Sequence, residues 1–392
     1  MSAVVLGEAM WTALGRTEDT WRRLLRRETG IRRIRRFDAS TFPVTFGAEI
    51  GDVGLDGPAL YYYLLDAVCD EAFGTLDFGA VPAERIGVFF GSEAVRPDLG
   101  ELARRWQSRE APRLEELERH HPAGPAVAVA KRLGAKGPVV TLSIACTSSA
   151  QAVGEALWAI RRGEVDVAVA GGVDVLVHPL MVLGFSRLGA LSVRNDEPDR
   201  ASRPFDRDRD GFVLGDGAGV VVLASPKVAG RLGRSLGKIT GYASSCNAWR
   251  ITDTPPDGRG TRTAMEEALR DAGCSPSRLA YINAHGTSTQ QNDASEAAGM
   301  RAALGDLAMK VPVSSTKSLM GHTVAACGVI EALLALRTVR DGIAPPTANL
   351  EQVDPECALF HVVEPLTVDK GVALSNAAGF GGSNTTIVVE AP

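Results

Sequence analysis

Three short stretches hold the side chains best suited to covalent chemistry. In Thr141-Leu-Ser-Ile-Ala-Cys146-Thr-Ser-Ser149, an apolar run beginning at Val139 ends in a cysteine among small hydroxyl residues. Tyr281-Ile-Asn-Ala-His285-Gly-Thr287-Ser-Thr289 reads as a strand running into a histidine loop. Ser314-Ser-Thr-Lys317-Ser-Leu-Met-Gly-His322 sets a lysine and a histidine five residues apart. Ala150 to Arg161 reads as a helix, so Cys146 stands on a sharp strand-to-helix turn, where backbone N–H groups and the helix dipole favour a thiolate. That predicts a nucleophile of depressed pKa; the other reading of such a residue is a buried structural thiol. A histidine on its own is more often an ordinary core or surface residue, so the cysteine and two histidines carry weight only as a set.

The elements that position them alternate. Strands are predicted at Ala3–Leu6, Arg85–Gly91, Val165–Gly172, Phe212–Leu214, Gly219–Leu223 and Thr385–Glu390, and helices near Thr17–Arg27, Ala59–Phe73, Asp98–Arg119 and Pro125–Leu133. Short apolar runs bounded by glycine and separated by helices imply a mostly parallel sheet covered on both faces. The second half repeats the first. The run Val139 to Cys146 with Gly154 eight residues on is echoed by Val311 to Met320 with Gly328 eight residues on, each followed by an apolar helix. Such a duplication predicts two βαβ-type halves about a pseudo-twofold axis, with the two turns meeting in the middle. Linker-like composition over Ser225–Gly237 divides residues 1–232, which carry the cysteine, from 233–392, which carry both histidines.

Composition narrows the function classes. The 392 residues are 45% hydrophobic and 23% charged, enough for two domains or one large duplicated one, and the net charge of −5 argues against a nucleic-acid binder. Eight arginines between Arg22 and Arg36 read as a solvated helix face and loop. The six cysteines lack CxxC spacing, which indicates neither a disulfide framework nor a local zinc motif and fits a reducing cytoplasm. No apolar run approaches membrane-spanning length. Asp206-Arg-Asp-Arg-Asp-Gly211 imitates a calcium loop, but Gly217 stands where a bidentate Glu is needed, so the loop is expected to be structural. Gly379-Phe-Gly-Gly382 precedes a strand and is not a dinucleotide fingerprint.

The ordered motifs ACTSS, NAHGTST, TKSLMGH and SNAAGFGGSN, with ASRPFDRDRDGFVLGDGAG at 201–219, resemble the β-ketoacyl-[acyl carrier protein] synthases of fatty-acid and type II polyketide assembly over nearly the whole chain. The resemblance implies an α/β thiolase-like fold, two duplicated halves in a five-layered α/β/α/β/α core, and a dimer with a second copy or with a chain-length-factor-like subunit. It implies that Cys146 accepts an acyl chain as a thioester, that His285 and His322 act on malonyl-carrier protein, and that the N–H groups of Cys146 and Phe380 form an oxyanion hole gated by Phe380. Lys317, Asp293 and Glu296 match supporting ion-pair positions and Glu331 a buried acidic one, while Thr287 and Thr289 match contacts to the phosphopantetheine arm of the carrier protein. No metal and no cofactor of the chain's own are implied.

Phe185, Ala94, Leu176 and Ala378 match acyl-pocket positions, and Ala378 replaces an aromatic residue found in many members. A degradative thiolase would carry a second cysteine in a CxG context, and an initiating synthase an asparagine in place of His322; neither is present. A non-catalytic chain-length-factor-like subunit is the alternative from another class, and a papain-like protease lacks its CGSCW context.

Overall fold

A computed structural model describes residues 2–51, 53–93, 95–96 and 99–392. The first half contains β1 (Ala3–Thr12), α1 (Gly57–Phe73), β2 (Ile86–Gly91), α2 (Gly124–Leu133), β3 (Val139–Leu142), α3 (Ser148–Arg161), β4 (Val167–Asp174), α4 (Pro179–Arg187) and β5 (Gly217–Ala224). The second contains β6 (Gly237–Cys246), α5 (Arg259–Ala272), β7 (Leu279–Asn283), α6 (Gln290–Leu304), β8 (Val313–Ser314), α7 (Lys317–Met320), α8 (Cys327–Asp341), β9 (Val372–Gly379) and β10 (Ser383–Glu390). The helical stretch predicted from Asp98 is two helices, Leu99–Ser108 and Leu114–His120, and Asp98 itself lies outside the described residues.

The strand order is β3-β2-β4-β5-β1 in one half and β8-β7-β9-β10-β6 in the other. The directions match as well. β2 is parallel to β3 and β4, as β7 is to β8 and β9, and the β4–β5, β5–β1, β9–β10 and β10–β6 pairs are antiparallel. The sheets are therefore more mixed than the sequence pattern implied. Strands β9 and β10 are joined by a tight hairpin, and a hairpin forces antiparallel pairing. The halves are stitched where Ala3, Val4 and Val5 of β1 pair with Ile239, Lys238 and Gly237 of β6. Ser225–Gly237 is not a plain linker, because Pro226–Leu232 forms a short helix.

Helices α3 and α8 lie against each other between the sheets, α3 touching β2 and β4 on one side and β6 and β10 on the other, and α8 touching β7 and β9 as well as β4 and β5. Helices α1 and α2 cover the outer face of the first sheet, and α5 that of the second, with α6 packed against α5. Five layers result. Buried on both faces, β2, β4 and β5 are apolar throughout except for Asp174 at the end of β4, and all their residues are buried.

The duplication is real in topology but slips in sequence register. Five residues separate β3 from α3, whereas α7 and a 3₁₀ turn at Val324–Ala326 intervene before α8 begins at Cys327. Met320 therefore sits in an inserted helix and is no counterpart of Cys146. Phe212–Leu214, predicted as a strand, makes only single bridges, Leu191 to Phe212 and Leu214 to His322.

Candidate active site

Cys146 sits just before the first turn of α3, in a bend locked by its own hydroxyls. Thr147 Oγ1 donates to the Ile144 carbonyl at 2.9 Å, Ser148 Oγ donates to the Ala145 carbonyl at 2.7 Å, and Ile144 N–H donates to Ser148 Oγ at 2.8 Å. The small residues of this stretch thus serve as intraturn clamps. Two glycines admit the helix: a Cβ on Gly91 would lie 2.2 Å from Ser149 N, and one on Gly328 2.5 Å from Ala150 N. Backbone strain gathers at the same place. Ala145, Ser288 and Val324, each within three residues of one of the catalytic candidates, adopt φ of +47°, +73° and +36°, which L-residues hold only under constraint.

The three candidates converge. His322 Nε2 lies 3.1 Å from Cys146 Sγ, and the His285 and His322 rings stand edge to face with centroids 5.2 Å apart. All three line one cavity of about 380 Å³ with Phe185, Phe212, Thr287, Thr289, Ala378 and Phe380. Thr287 and Thr289 share a hydroxyl hydrogen bond of 3.0 Å on its wall. A row of aromatic contacts runs from His322 to Phe212 (5.3 Å), then Phe185 (5.3 Å), then Phe380 (6.2 Å) in the β9–β10 turn. The Phe380 backbone N–H stands near enough to the Cys146 thiol to favour its ionised form. Gly381 and Gly382 of that turn have φ of +84° and +81°, and their backbone is tied to Ile251 and Asn247.

Burial corrects the expected ionisation. The Cys146 thiol is pushed up to about 12, chiefly by desolvation and further by Glu93, against the lowering pull of Lys317 and the Phe380 N–H. Proximity to a helix N-terminus does not outweigh removal from water. Desolvation and Lys317 hold both His285 and His322 well below 6.5, and His322 adds to the effect on His285. At neutral pH the resting set is thus a neutral thiol and two neutral imidazoles.

The supporting residues divide their work differently from the sequence reading. Lys317 pairs with Glu331, both fully buried, and its Nζ donates to the His285 carbonyl at 2.7 Å. Glu296 accepts the N–H groups of His285 and Gly286 at 2.7 and 2.8 Å, and burial raises it to about 7. Asp293 accepts from Ser288 and Phe205 N–H and faces Arg209 at 3.7 Å, so it is not a partner of Lys317. Leu176 is fully buried in the apolar cluster that includes Cys146 and is not on the cavity wall. Ala94 lies outside the described residues.

Two contributors escaped the sequence reading. Phe212 flanks His322, and nothing in its short apolar run distinguishes it. Buried Arg209 donates to the Thr289 and Gln290 carbonyls at 3.0 and 2.7 Å, fastening the loop after His285. Its signal lay in the DRDRDG motif, where Asp206 caps the Glu351 and Gln352 N–H groups and so serves the loop structurally.

A duplicated five-layered fold with a cysteine and two histidines meeting between its halves defines the ketosynthase class of thiolase-like proteins. The chain belongs to the beta-ketoacyl synthase family: the N-terminal domain model matches residues 62–229 and the C-terminal domain model residues 236–351. It is 38% identical to 3-oxoacyl-[acyl-carrier-protein] synthase 2 of Synechocystis sp., over 98% of this chain and 96% of that one. It is 41% identical to the tetracenomycin polyketide synthase ketoacyl synthase alpha subunit of Streptomyces glaucescens, over 81% and 77% of the two chains. A type II polyketide ketosynthase solved with its acyl-carrier protein and a bound hexaketide superposes at a TM-score of 0.90 with 28% identity, covering 100% and 99% of the chains. Among the described residues no helix is long and apolar enough to cross a membrane.

Proposed function

We propose that the chain joins a Cys146-bound acyl group to malonyl-acyl carrier protein with loss of CO₂, giving a β-ketoacyl-acyl carrier protein for fatty-acid or polyketide assembly in the cytoplasm. The observation that carries this reading is the 3.1 Å Cys146–His322 contact, with His285 beside it on one cavity wall. In the loading step the Cys146 sulfur attacks the acyl thioester of a carrier protein while its proton passes to His322 Nε2, and the carrier's phosphopantetheine thiol leaves carrying that proton, so His322 is neutral again. Because both groups rest neutral, transfer and attack are coupled, and no standing thiolate is needed. The N–H groups of Cys146 and Phe380 receive the oxyanion.

In the second step malonyl loses CO₂ and its thioester oxygen becomes an enolate. A neutral imidazole keeps one N–H to donate, so His285 and His322 stabilise charge that exists only along the reaction path. The enolate carbon then attacks the Cys146 thioester, and the departing Cys146 sulfur takes a proton from solvent to return as the thiol. Lys317 and Glu296 act by positioning the His285 loop. Thr287 and Thr289 hold the phosphopantetheine arm, and the chain contributes no cofactor of its own. Its assembly partner is a second copy or a chain-length-factor-like subunit.

Intact-mass analysis with acyl- and malonyl-carrier proteins tests the assignment. Wild type gains one acyl mass, Cys146→Ala gains none and still releases CO₂ from malonyl-carrier protein. Acylation of Cys146→Ala at another residue would sink it.

A further inference from the structure

Cys146, His285 and His322 come from three distant segments, and their sulfur and nitrogen atoms lie within 4.8 Å of one another. A tetrahedral zinc ion with bonds of about 2.0–2.1 Å to nitrogen and 2.3 Å to sulfur asks for ligand separations of about 3.3–3.6 Å. Small χ rotations supply that difference, and the Cys146–His322 pair is already at 3.1 Å. The Nδ1 atoms of both rings are buried without a hydrogen-bond partner, so no contact at Nδ1 fixes either tautomer, and His322 Nε2 already faces the thiol. The cavity offers a fourth, open position to water.

We propose that these three residues form a zinc site whose occupancy holds the enzyme in an unacylated, inactive state. On loading, the Cys146 S–H bond is replaced by a Zn–S bond and the proton leaves to solvent. Two Zn–N bonds form at imidazole lone pairs, and a water fills the fourth position. The sulfur lone pair needed for acyl transfer and the histidine nitrogens needed at malonyl are then all engaged. A second cluster, His285, Cys327 and Glu331, shares His285 but competes poorly, because the Glu331 carboxylate is already held by the Lys317 ammonium. Local spacing motifs could not reveal the first cluster, since its ligands are spread over residues 146 to 322.

The inhibitory consequence rests on the acyl-transfer reading, whereas the metal site does not, so binding is measured first and without substrate. Zinc is titrated into the full-length protein against a chromophoric chelator, and cobalt is substituted for spectroscopy. The expected result is one metal per chain, with a thiolate-to-cobalt charge-transfer band and the intense visible bands of tetrahedral cobalt. Cys146→Ser and His322→Ala each weaken binding by about 100-fold or more, while Cys327→Ala leaves it unchanged. Wild-type protein showing no thiolate–cobalt band, or binding lost in Cys327→Ala and kept in Cys146→Ser, overturns the site. The cobalt band is read on wild type, so a variant that misfolds does not decide the matter. Turnover lost on zinc addition and restored by EDTA supports the inactive state, and unchanged turnover at full zinc occupancy overturns it.

Discussion

The buried Lys317–Glu331 pair separates fold stability from catalysis when each side is removed in turn. Glu331→Leu leaves the Lys317 ammonium buried against the His285 carbonyl without its counter-charge, and breaking such a pair from one side costs about 3–5 kcal/mol. A chain of 392 residues unfolds with an entropy of about 0.8 kcal/mol/K, which puts the loss at about 4–6 °C in Tm. Lys317→Met is milder, about 1–3 kcal/mol. The Glu331 carboxyl is already raised by burial to about 7 and simply takes a proton once its cation is gone. The double variant Lys317→Met/Glu331→Leu carries no buried charge and returns to within about 1 kcal/mol of wild type. Its activity does not return, because the ammonium that held the His285 carbonyl at 2.7 Å is absent and the ring is free to shift; the expected loss in kcat is about 10²-fold. Thermal unfolding and single-turnover condensation are measured on all four proteins. A double variant as unstable as Glu331→Leu would refute mutual compensation, and one with wild-type kcat would refute the positioning role of Lys317.

Other outcomes follow from the same geometry. Ala378→Phe adds a ring to the cavity wall beside Phe380, so kcat/KM for long acyl chains falls by about 1–3 kcal/mol more than for short ones; equal losses would place Ala378 outside the acyl path. With its thiol near 12, Cys146 alkylation rises about tenfold per pH unit from pH 7 to 9 without a plateau, and exposed Cys246 reacts first, as peptide mapping with iodoacetamide will show. Glu296 binds its proton more tightly folded, near 7, than unfolded, near 4.5, so its contribution is fully present below pH 4.5 and is lost as pH rises to 7. Urea unfolding of Glu296→Gln across that window therefore shows a shallower pH slope than wild type, and an identical slope would contradict the buried-carboxyl assignment.

Much of the site was legible because local patterns carry it. A β-rich run turning into a helix through small residues placed Cys146, and strand-to-loop transitions placed His285 and His322. Pairwise partnerships were not legible. Which carboxylate meets Lys317 depends on α8 lying across the loop before it, and no spacing in the chain encodes that crossing. The ionisation of Cys146 was misread for a related reason: helix position is written locally, whereas burial is a property of all five layers together. Met320 was mistaken for the counterpart of Cys146 because the inserted α7 preserves the eight-residue interval to a glycine while displacing the helix start. Leu176 likewise matched a pocket position by resemblance, yet is fully buried and does not line the cavity.

The stitch between the halves has a consequence for synthesis. Strand β1 is made first, and apart from a two-residue hairpin of Trp11 and Thr12 with Arg16 and Gly15 its strand partners, β5 and β6, lie about 200 residues downstream. At about 5–20 residues per second the ribosome delivers those partners only after some 10–40 s. During that interval the largely apolar segment Ala3–Met10, outside that hairpin, presents open edges to wrong partners. The nascent chain should thus need a holding chaperone near its N-terminus, and a tag or fusion that occludes β1 should depress yield more than the same addition after β10.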